Sequence, residues 1–167
     1  TGVPEVDELL STGGMQGMLD TVWLIIAALT FGGVMEASGS LKRVSEMFLK
    51  MIYNDTSLVG TTILTCIFFN ITACDQYLSI VIPGKMMQKI YEQRGLKPEV
   101  LSRALEDSGT VTSVLVPWNT CGATQARILG VPTLEYLPFC FFNLISPLMN
   151  IFITSIHYKI RRIKTES

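Results

Sequence analysis

Two apolar segments of this chain are long enough to cross a lipid bilayer as single α-helices. Leu19–Ser38 contains 20 residues and Tyr136–His157 contains 22. A hydrocarbon core about 30 Å thick requires about 20 residues of helix, so each segment predicts one transmembrane helix. Pro147 lies inside the second segment and predicts a kink there. The expected fold class is therefore an all-α integral membrane protein.

Composition supports this class and argues against others. Charged residues make up 16% of the sequence, whereas soluble domains carry about 25%. The net charge of −1 provides no basic surface for nucleic acid. The four cysteines form no CxxC pair, which indicates free thiols rather than a disulfide framework or a zinc site. Since the sequence also has no P-loop, HExxH motif, glycine-rich dinucleotide loop or Ser/His/Asp set, we expect neither an enzyme nor a bound cofactor.

A polar interruption divides the apolar sequence between the two spans. Ser57–Cys74 is apolar over 18 residues, and the apolar run that follows, Tyr77–Met87, has 11. Eleven residues of helix rise about 16 Å, half a bilayer. The two arms are joined by a polar tip that contains Asn70, Thr72, Asp75 and Gln76. We predict a re-entrant helical hairpin over residues 57–87, with its tip at membrane depth.

A second polar segment, residues 108–130, predicts a transmembrane helix that is interrupted inside the membrane. Pro117 and Gly122 bracket the sequence WNTCG, and the apolar stretch around them is too short to span. Non-helical backbone at that depth is tolerated only where it lines a cavity or is buried in protein. Pro98–Asp107 precedes this segment, has its apolar residues on one face, and predicts a short amphipathic helix at the interface.

The distribution of basic residues predicts the orientation. Of the 13 Lys and Arg, all except Arg127 lie on the cytoplasmic side if residues 57–87 return to the side from which they enter. Residues 1–18 then form an external loop, and residues 158–167 form a basic cytoplasmic tail. Two complete spans over residues 57–87 would also return the chain to the cytoplasmic side, so the basic residues do not distinguish them from a hairpin. The short second arm favours the hairpin. The N-terminus has no signal-peptide pattern, and we expect the chain to be part of a longer protein.

Two acids in the polar segments are candidates for ion binding. Asp75 lies at the hairpin tip, and Asp107 lies next to the broken segment. Burial raises the proton affinity of a carboxylate and a bound cation lowers it, so one buried carboxylate can exchange a proton for a cation. Structural interpretations remain for both acids. Asp75 fits a solvated turn between two short spans, and Asp107 fits a helix end at which Ser108 and Thr110 cap the next segment.

Four stretches of the sequence resemble the NhaC family of Na⁺/H⁺ antiporters: LTFGGVMEASG, ACDQYLSIVIPGKM, LSRALEDSGTVTSVLVPWNTCG and LGVPTLEYLPFCFFNLISPL. The resemblance extends from about Ser11 to Phe152. It implies the inverted-repeat fold of the ion-transporter superfamily, in which each half has a re-entrant hairpin and a broken helix, with elevator-like movement. Family members are longer carriers, so this chain would be the C-terminal part, one repeat of two. Its partners would be the missing N-terminal half and the lipid bilayer, and formation of a homodimer is left open.

The function that the resemblance implies is exchange of Na⁺ for H⁺ across a bacterial cytoplasmic membrane, by a multi-pass protein whose C-terminus is cytoplasmic. Na⁺ and H⁺ are then transported substrates and not cofactors. Two alternatives remain. One is a carboxylate exchanger of the malate/lactate type, in which Arg127 faces the anion. The other is a fragment or interaction subunit that is inert when alone.

The predicted site draws on both polar segments, because oxygen ligands suit hard cations such as Na⁺. We predict that Asp75 is the exchanging carboxylate and that Na⁺ binds Asp75 and Asn119. The neutral oxygens around the cation are assigned to Asn70, Thr72, Asn119 and Thr120. Asp107 is the rival for the proton or its partner, since two nearby acids couple their titrations. The helix is expected to break between Val116 and Ala123, with Asn119 and Thr120 turned toward the hairpin tip.

Overall fold

A computed structural model of the protein describes residues 14–156, together with residues 2, 4, 6, 7 and 162. The described chain is all-α, as predicted, and its one β pairing is an isolated bridge between Leu96 and Arg162. The elements follow in the order α1 (Gly14–Ala37), α2 (Ser40–Leu49), α3 (Asp55–Thr72), α4 (Gln76–Gln93), α5 (Pro98–Leu105), a π-helix (Glu106–Thr110), α6 (Val111–Ser113), α7 (Thr120–Leu129), α8 (Thr133–Tyr136), a 3₁₀ turn (Leu137–Phe139) and α9 (Phe141–Ser155).

The first apolar segment forms helix α1, which confirms the helix predicted over residues 19–38. The helix already begins at Gly14, so the predicted loop over residues 1–18 is wrong for its last five residues. No proline interrupts the sequence there, and the helix extends in the N-terminal direction. The rest of that loop and the predicted tail over residues 158–167 lie outside the described residues, apart from residues 2, 4, 6, 7 and 162.

The second apolar segment is not one straight helix. The helical stretch Thr133–Phe139 and helix α9 meet at a bend of 58°. Cys140 separates them, and its ψ of 53° is not helical. Pro138 lies two residues earlier and has no N–H to donate to a preceding turn. This bend lies at Cys140 and not at Pro147, which lies inside α9. A kink at Pro147 itself stays a prediction.

Helix α3 has the length and mean hydropathy of a membrane span, and half of it is buried by its neighbours. The bent pair that ends in α9 meets the same criterion if the two parts are counted as one span. Within α1, the apolar stretch Ile25–Met35 is shorter. Within the described ranges, length and composition thus identify one or two spanning elements.

Helices α3 and α4 form the two arms of a hairpin, and residues Ala73–Asp75 at its tip connect them. Arg94 Nη1 lies 3.2 Å from Asp55 Oδ1, so the end of α4 returns to the start of α3. The second arm is longer than the 11 residues predicted, because α4 continues through Pro83 to Gln93. Lys, Gln and Glu after Pro83 are good helix formers and extend the arm. The apolar part of this arm is nonetheless short, because α4 is not among the helices that are long and apolar enough to cross a membrane. Re-entry itself stays a prediction.

The predicted interfacial helix and the predicted broken segment are continuous. Helix α5 leads without a gap into the π-helix and α6, and the helical path ends at Ser113. The boundary predicted at Asp107 is therefore wrong, because the π-helix crosses it. The apolar face of α5 packs into the main core, which is formed by residues of α3, α4, α5 and the turn before α5: Leu58, Val59, Ile63, Met87, Tyr91, Leu96, Leu101 and Ala104.

Candidate functional site

The hairpin tip and the break in the second helix lie against each other. Asn119 Nδ2 donates to the backbone oxygen of Asn70 at 3.1 Å and to its Oδ1 at 3.3 Å. The backbone N–H of Thr120 donates to the carbonyl of Cys74 at 3.1 Å. Residues 114–119 are non-helical, and α7 starts at Thr120. A break in this segment is confirmed, but it covers residues 114–119, and the predicted residues 120–123 are helical. The predicted orientation toward the tip is confirmed for the Asn119 side chain and, through its backbone N–H, for Thr120.

Asn70 joins the tip to the π-helix as well. Its side chain is fully buried, and Nδ2 donates to the carbonyl of Gly109 at 2.8 Å and to Thr112 Oγ1 at 3.0 Å. A side chain at Gly109 would not fit, since an added Cβ would lie 2.7 Å from Ile80 Cγ1. The glycine therefore permits the close packing that brings its carbonyl within reach of Asn70.

Gln76, the first residue of α4, completes the contact between tip and break. Its Oε1 accepts hydrogen bonds from Cys121 Sγ at 2.8 Å and from Ser113 Oγ at 3.4 Å. We call the resulting set the polar cluster; its members are Asn70, Gln76, Thr112, Ser113, Asn119, Thr120 and Cys121. The cluster is built from neutral side chains that are buried or half-buried, and amide, hydroxyl and carbonyl oxygens of this kind are ligands for hard cations.

The break depends on a close approach of backbone to helix. A Cβ added to Gly122 would lie 2.0 Å from the carbonyl oxygen of Val116 and 2.9 Å from its carbon. Glycine is thus required for the loop to fold back over the first turn of α7. Asn119 caps this turn, because its Oδ1 accepts from the backbone N–H of Cys121 at 3.1 Å.

Asp75 lies between two residues that take part in the tip contacts, Cys74 and Gln76. Its backbone is extended and its Oδ1 accepts from the N–H of Leu78 at 3.1 Å, so it is the N-cap of α4. Its Oδ2 accepts no hydrogen bond from the described residues. The predicted ligand Thr72 donates its hydroxyl to the carbonyl of Phe68 in its own helix, at 2.8 Å.

The tip is also the place where two helices begin. Asp75 precedes α4 and Asn119 precedes α7, and the bond from Thr120 N–H to the Cys74 carbonyl joins the two starts. The backbone before α4 is unusual, since Cys74 has a positive φ of 59°. Non-glycine residues seldom adopt this conformation, which is held here by the surrounding contacts.

Asp107 has different neighbours. Its Oδ1 accepts from Ser146 Oγ at 3.1 Å, and its Oδ2 accepts from Asn150 Nδ2 at 2.6 Å. Arg103 Nε lies 3.8 Å from Oδ2. The structural interpretation in which Ser108 and Thr110 cap a new helix is wrong: the Ser108 hydroxyl bonds the carbonyl of Ala104 one turn earlier, and Thr110 makes no capping bond.

Sequence reasoning missed the contribution of α9. Asn143, Ser146 and Asn150 lie three and four residues apart in an otherwise apolar helix, and we call them the α9 polar face. Asn143 Nδ2 donates to the carbonyl of Val111 at 2.7 Å, beside the two bonds to Asp107. Polar residues at helical spacing within an apolar segment are a signal that the sequence contains.

Metal-binding groups of the usual kind are absent from the described residues, which hold no group of three or more His, Cys, Asp or Glu suited to a metal ion. Na⁺ does not require such a group, because neutral oxygens and one carboxylate suffice for a hard monovalent cation. The assignment of Na⁺ to Asp75 and Asn119 therefore stays a prediction.

A hairpin that faces an interrupted helix across a set of neutral polar groups is typical of secondary transporters, whose substrate sites are formed by discontinuous helices. The profile described as the Na⁺/H⁺ antiporter family matches residues 1–156. The chain belongs to this family, and the resemblance to NhaC antiporters is confirmed. Since antiport takes place across a membrane, we treat the chain as part of a membrane protein.

Three relatives show the range of the family. The chain is 40% identical over 146 residues to the Na⁺/H⁺ antiporter NhaC of Bacillus subtilis, covering 87% of this chain and 32% of that protein. It is 39% identical over 152 residues to the arginine/ornithine antiporter ArcD of Halobacterium salinarum, covering 89% and 31%. It is 38% identical over 146 residues to the malate-2H⁺/Na⁺-lactate antiporter of Bacillus subtilis, covering 87% and 31%. The chain thus spans about a third of the length of these curated relatives. No solved structure matches it.

Proposed function

We propose that this chain is the C-terminal repeat of a secondary transporter that exchanges Na⁺ for H⁺ across a bacterial cytoplasmic membrane. The family and the NhaC relatives support exchange as the activity, and transport without bond chemistry makes the protein a carrier and not an enzyme. The upstream half of the carrier would complete the site. Na⁺ and H⁺ are the substrates in this proposal.

The polar cluster is the observation that carries the proposal. Asn70 and Asn119 are fully buried at the contact between tip and break, and neither belongs to a packed apolar core. Their burial is tolerated because they are hydrogen-bonded to each other and to Gly109, Thr112 and the start of α7. A buried polar set at a helix break is where transporters with discontinuous helices place their substrate sites. Their oxygens, with those of Gln76 and Thr120, supply neutral ligands, and Asp75 supplies the charge.

A single carboxylate is sufficient for exchange. Protonation of Asp75 removes the negative charge that holds Na⁺, and bound Na⁺ opposes protonation, so the two substrates compete. Asp75 has one oxygen that accepts no hydrogen bond from the described residues, and that oxygen can face a cation. Asp107 is less suitable, because both of its oxygens accept hydrogen bonds and Arg103 already lies near its charge.

The orientation is supported by a contact at the open end of the hairpin. Arg162 of the tail lies 2.9 Å from Asp55 Oδ2, beside Arg94. The start of α3, the end of α4 and Arg162 therefore lie together, as the distribution of basic residues requires if all three are cytoplasmic.

Exchange of carboxylates is the second candidate, and the two helix starts at the tip favour it. Helix N-termini carry partial positive charge and bind anionic groups in transporters with broken helices. The malate/lactate relative is a member of the same family. Arg127 does not support this candidate, because it is exposed in the last turn of α7, seven residues or about 10 Å along the axis from the helix start.

Transport by the full-length carrier in proteoliposomes separates the candidates. Na⁺-dependent proton flux without any organic acid supports cation/proton exchange. Flux that requires malate, lactate or an amino acid supports an organic-substrate exchanger and overturns the first proposal. The same assay on the 167-residue chain alone tests whether it is inert without the upstream half, with the full-length carrier as the positive control.

A further inference from the structure

The segment that the α9 polar face holds is also the segment that Asn70 holds. Asp107 and Val111, bound by α9, flank Gly109, whose carbonyl accepts from Asn70 Nδ2 at 2.8 Å. Thr112 follows directly and also bonds Asn70. The π-helix and the first residues of α6 are thus fixed by α9 on one side and by the hairpin tip on the other.

The wide turn of a π-helix is less favourable than an α-helical turn and is found mostly where a site requires it. Its position must then be maintained by contacts from outside the helix. The bonds from Ser146 and Asn150 suit this purpose, because hydrogen bonds to an ionised carboxylate are about twice as strong as neutral ones. The bond from Asn150 is the shorter of the two, at 2.6 Å.

We propose that Ser146 and Asn150 are positioning residues for the exchange site. By holding Asp107 they set the place of the π-helix, and so of the Gly109 carbonyl and the Thr112 hydroxyl, against Asn70. Asp107 acts through its hydrogen bonds and does not carry the exchanged proton. This inference rests on the proposed function in one respect, namely that the exchange site is the polar cluster.

The test exchanges donor and acceptor in the full-length carrier. Asn150→Asp places a second carboxylate against Asp107, which removes the amide donor and introduces repulsion while both groups are ionised. Adding Asp107→Asn to that variant restores a hydrogen bond with the donor on the other residue. We expect the apparent KM for Na⁺ to rise about tenfold in Asn150→Asp, as for loss of a hydrogen bond to a charged group. The double variant should return to within about twofold of the wild-type KM, with the maximal rate less affected than KM throughout.

Controls separate positioning from general damage. Ser155→Asp adds the same charge at an exposed position in the last turn of α9 and should leave KM unchanged. Asn150→Ala removes the hydrogen bond to Asp107 without adding a charge. It replaces Asn150→Asp in the test if that variant does not insert into the membrane. A wild-type KM in Asn150→Asp and Asn150→Ala would overturn the inference, as would a double variant that inserts but is not restored.

A second measurement does not depend on transport. Cys121 Sγ is half-buried against Gln76 in the polar cluster. Its rate of modification by a small methanethiosulfonate reagent, resolved by mass spectrometry, should rise severalfold in the Asn150 variants and fall back in the double variant. Unchanged modification would overturn the inference. If the wild-type carrier shows no Na⁺-dependent flux, the proposed function fails, and this measurement still decides whether α9 positions the cluster.

Discussion

At the scale of single residues, Asp75 has two roles that one substitution separates. It caps α4 through Oδ1, and in our proposal its charge holds Na⁺. Asn and Asp are about equally good N-caps, so Asp75→Asn preserves the cap and removes the titratable group. We predict that Na⁺-dependent proton flux is abolished, while expression, insertion and thermal stability in detergent stay near those of the wild type.

Two further variants control this prediction. Asp75→Ala removes the cap as well and should lower stability by about 1 kcal/mol relative to Asp75→Asn. Asp107→Asn can still exchange hydrogen bonds with Ser146 and Asn150, and should retain measurable Na⁺-dependent flux. If instead Asp75→Asn transports at near-normal rates and Asp107→Asn does not, the roles of the two acids are reversed and the tip is only a gate.

At the scale of helices, the sequence predicted features that depend on local chemistry. Polar residues within an apolar run indicated the hairpin tip, and Pro117 with Gly122 indicated the break. Other features depend on contacts between helices and could not be predicted in this way. The spacing of the α9 polar face is present in the sequence, but the π-helix and its contact with α9 through Asp107 are not visible from either segment alone. The extension of α4 past Pro83 shows that a proline and a glycine do not end a helix whose neighbours pack along it.

The break provides a prediction about Gly122. An added methyl group would meet the Val116 carbonyl at 2.0 Å, so backbone must move. Overpacking of this kind typically costs about 1–3 kcal/mol. We expect Gly122→Ala to lower thermal stability in detergent and to impair transport, whereas Gly60→Ala in α3, where nothing lies within 4 Å, should be neutral or stabilising. Equal effects of the two substitutions would contradict the close approach.

Helix α1 provides a matched pair of adjacent glycines. A Cβ on Gly32 would lie 2.8 Å from the carbonyl oxygen of Ala73 at the hairpin tip, whereas one on Gly33 would meet nothing within 4 Å. Gly32→Ala should therefore displace α1 from the tip and reduce transport severalfold. Gly33→Ala should leave transport unchanged and slightly favour the helix. Flux assays on both variants, normalised to inserted protein, test whether α1 supports the tip.

At the scale of the whole molecule, the question is which ends lie on the same side of the membrane. Asp55 lies at the start of α3 and is contacted both by Arg94 at the end of α4 and by Arg162 of the tail. Exposed ion pairs contribute about 1 kcal/mol or less, so these contacts report position more than they stabilise it. They bring Arg162 next to the two ends of the hairpin, so we expect these three places to lie on the same side of the membrane.

The last prediction tests that topology by accessibility to a membrane-impermeant maleimide, in a full-length carrier whose native cysteines are replaced by serine. Single cysteines at Tyr53 and Gln93, at the two ends of the hairpin, and at Ser167 in the tail should react only after the membrane is permeabilised. A cysteine at Leu129, at the end of α7, should react from outside, because that end is predicted to be external.

A cysteine at the exposed Tyr77, next to the tip, distinguishes re-entry from two complete spans. Slow labelling of Tyr77→Cys is expected if the tip lies at membrane depth, and labelling from outside as fast as at Leu129→Cys would show that α3 and α4 each cross the bilayer.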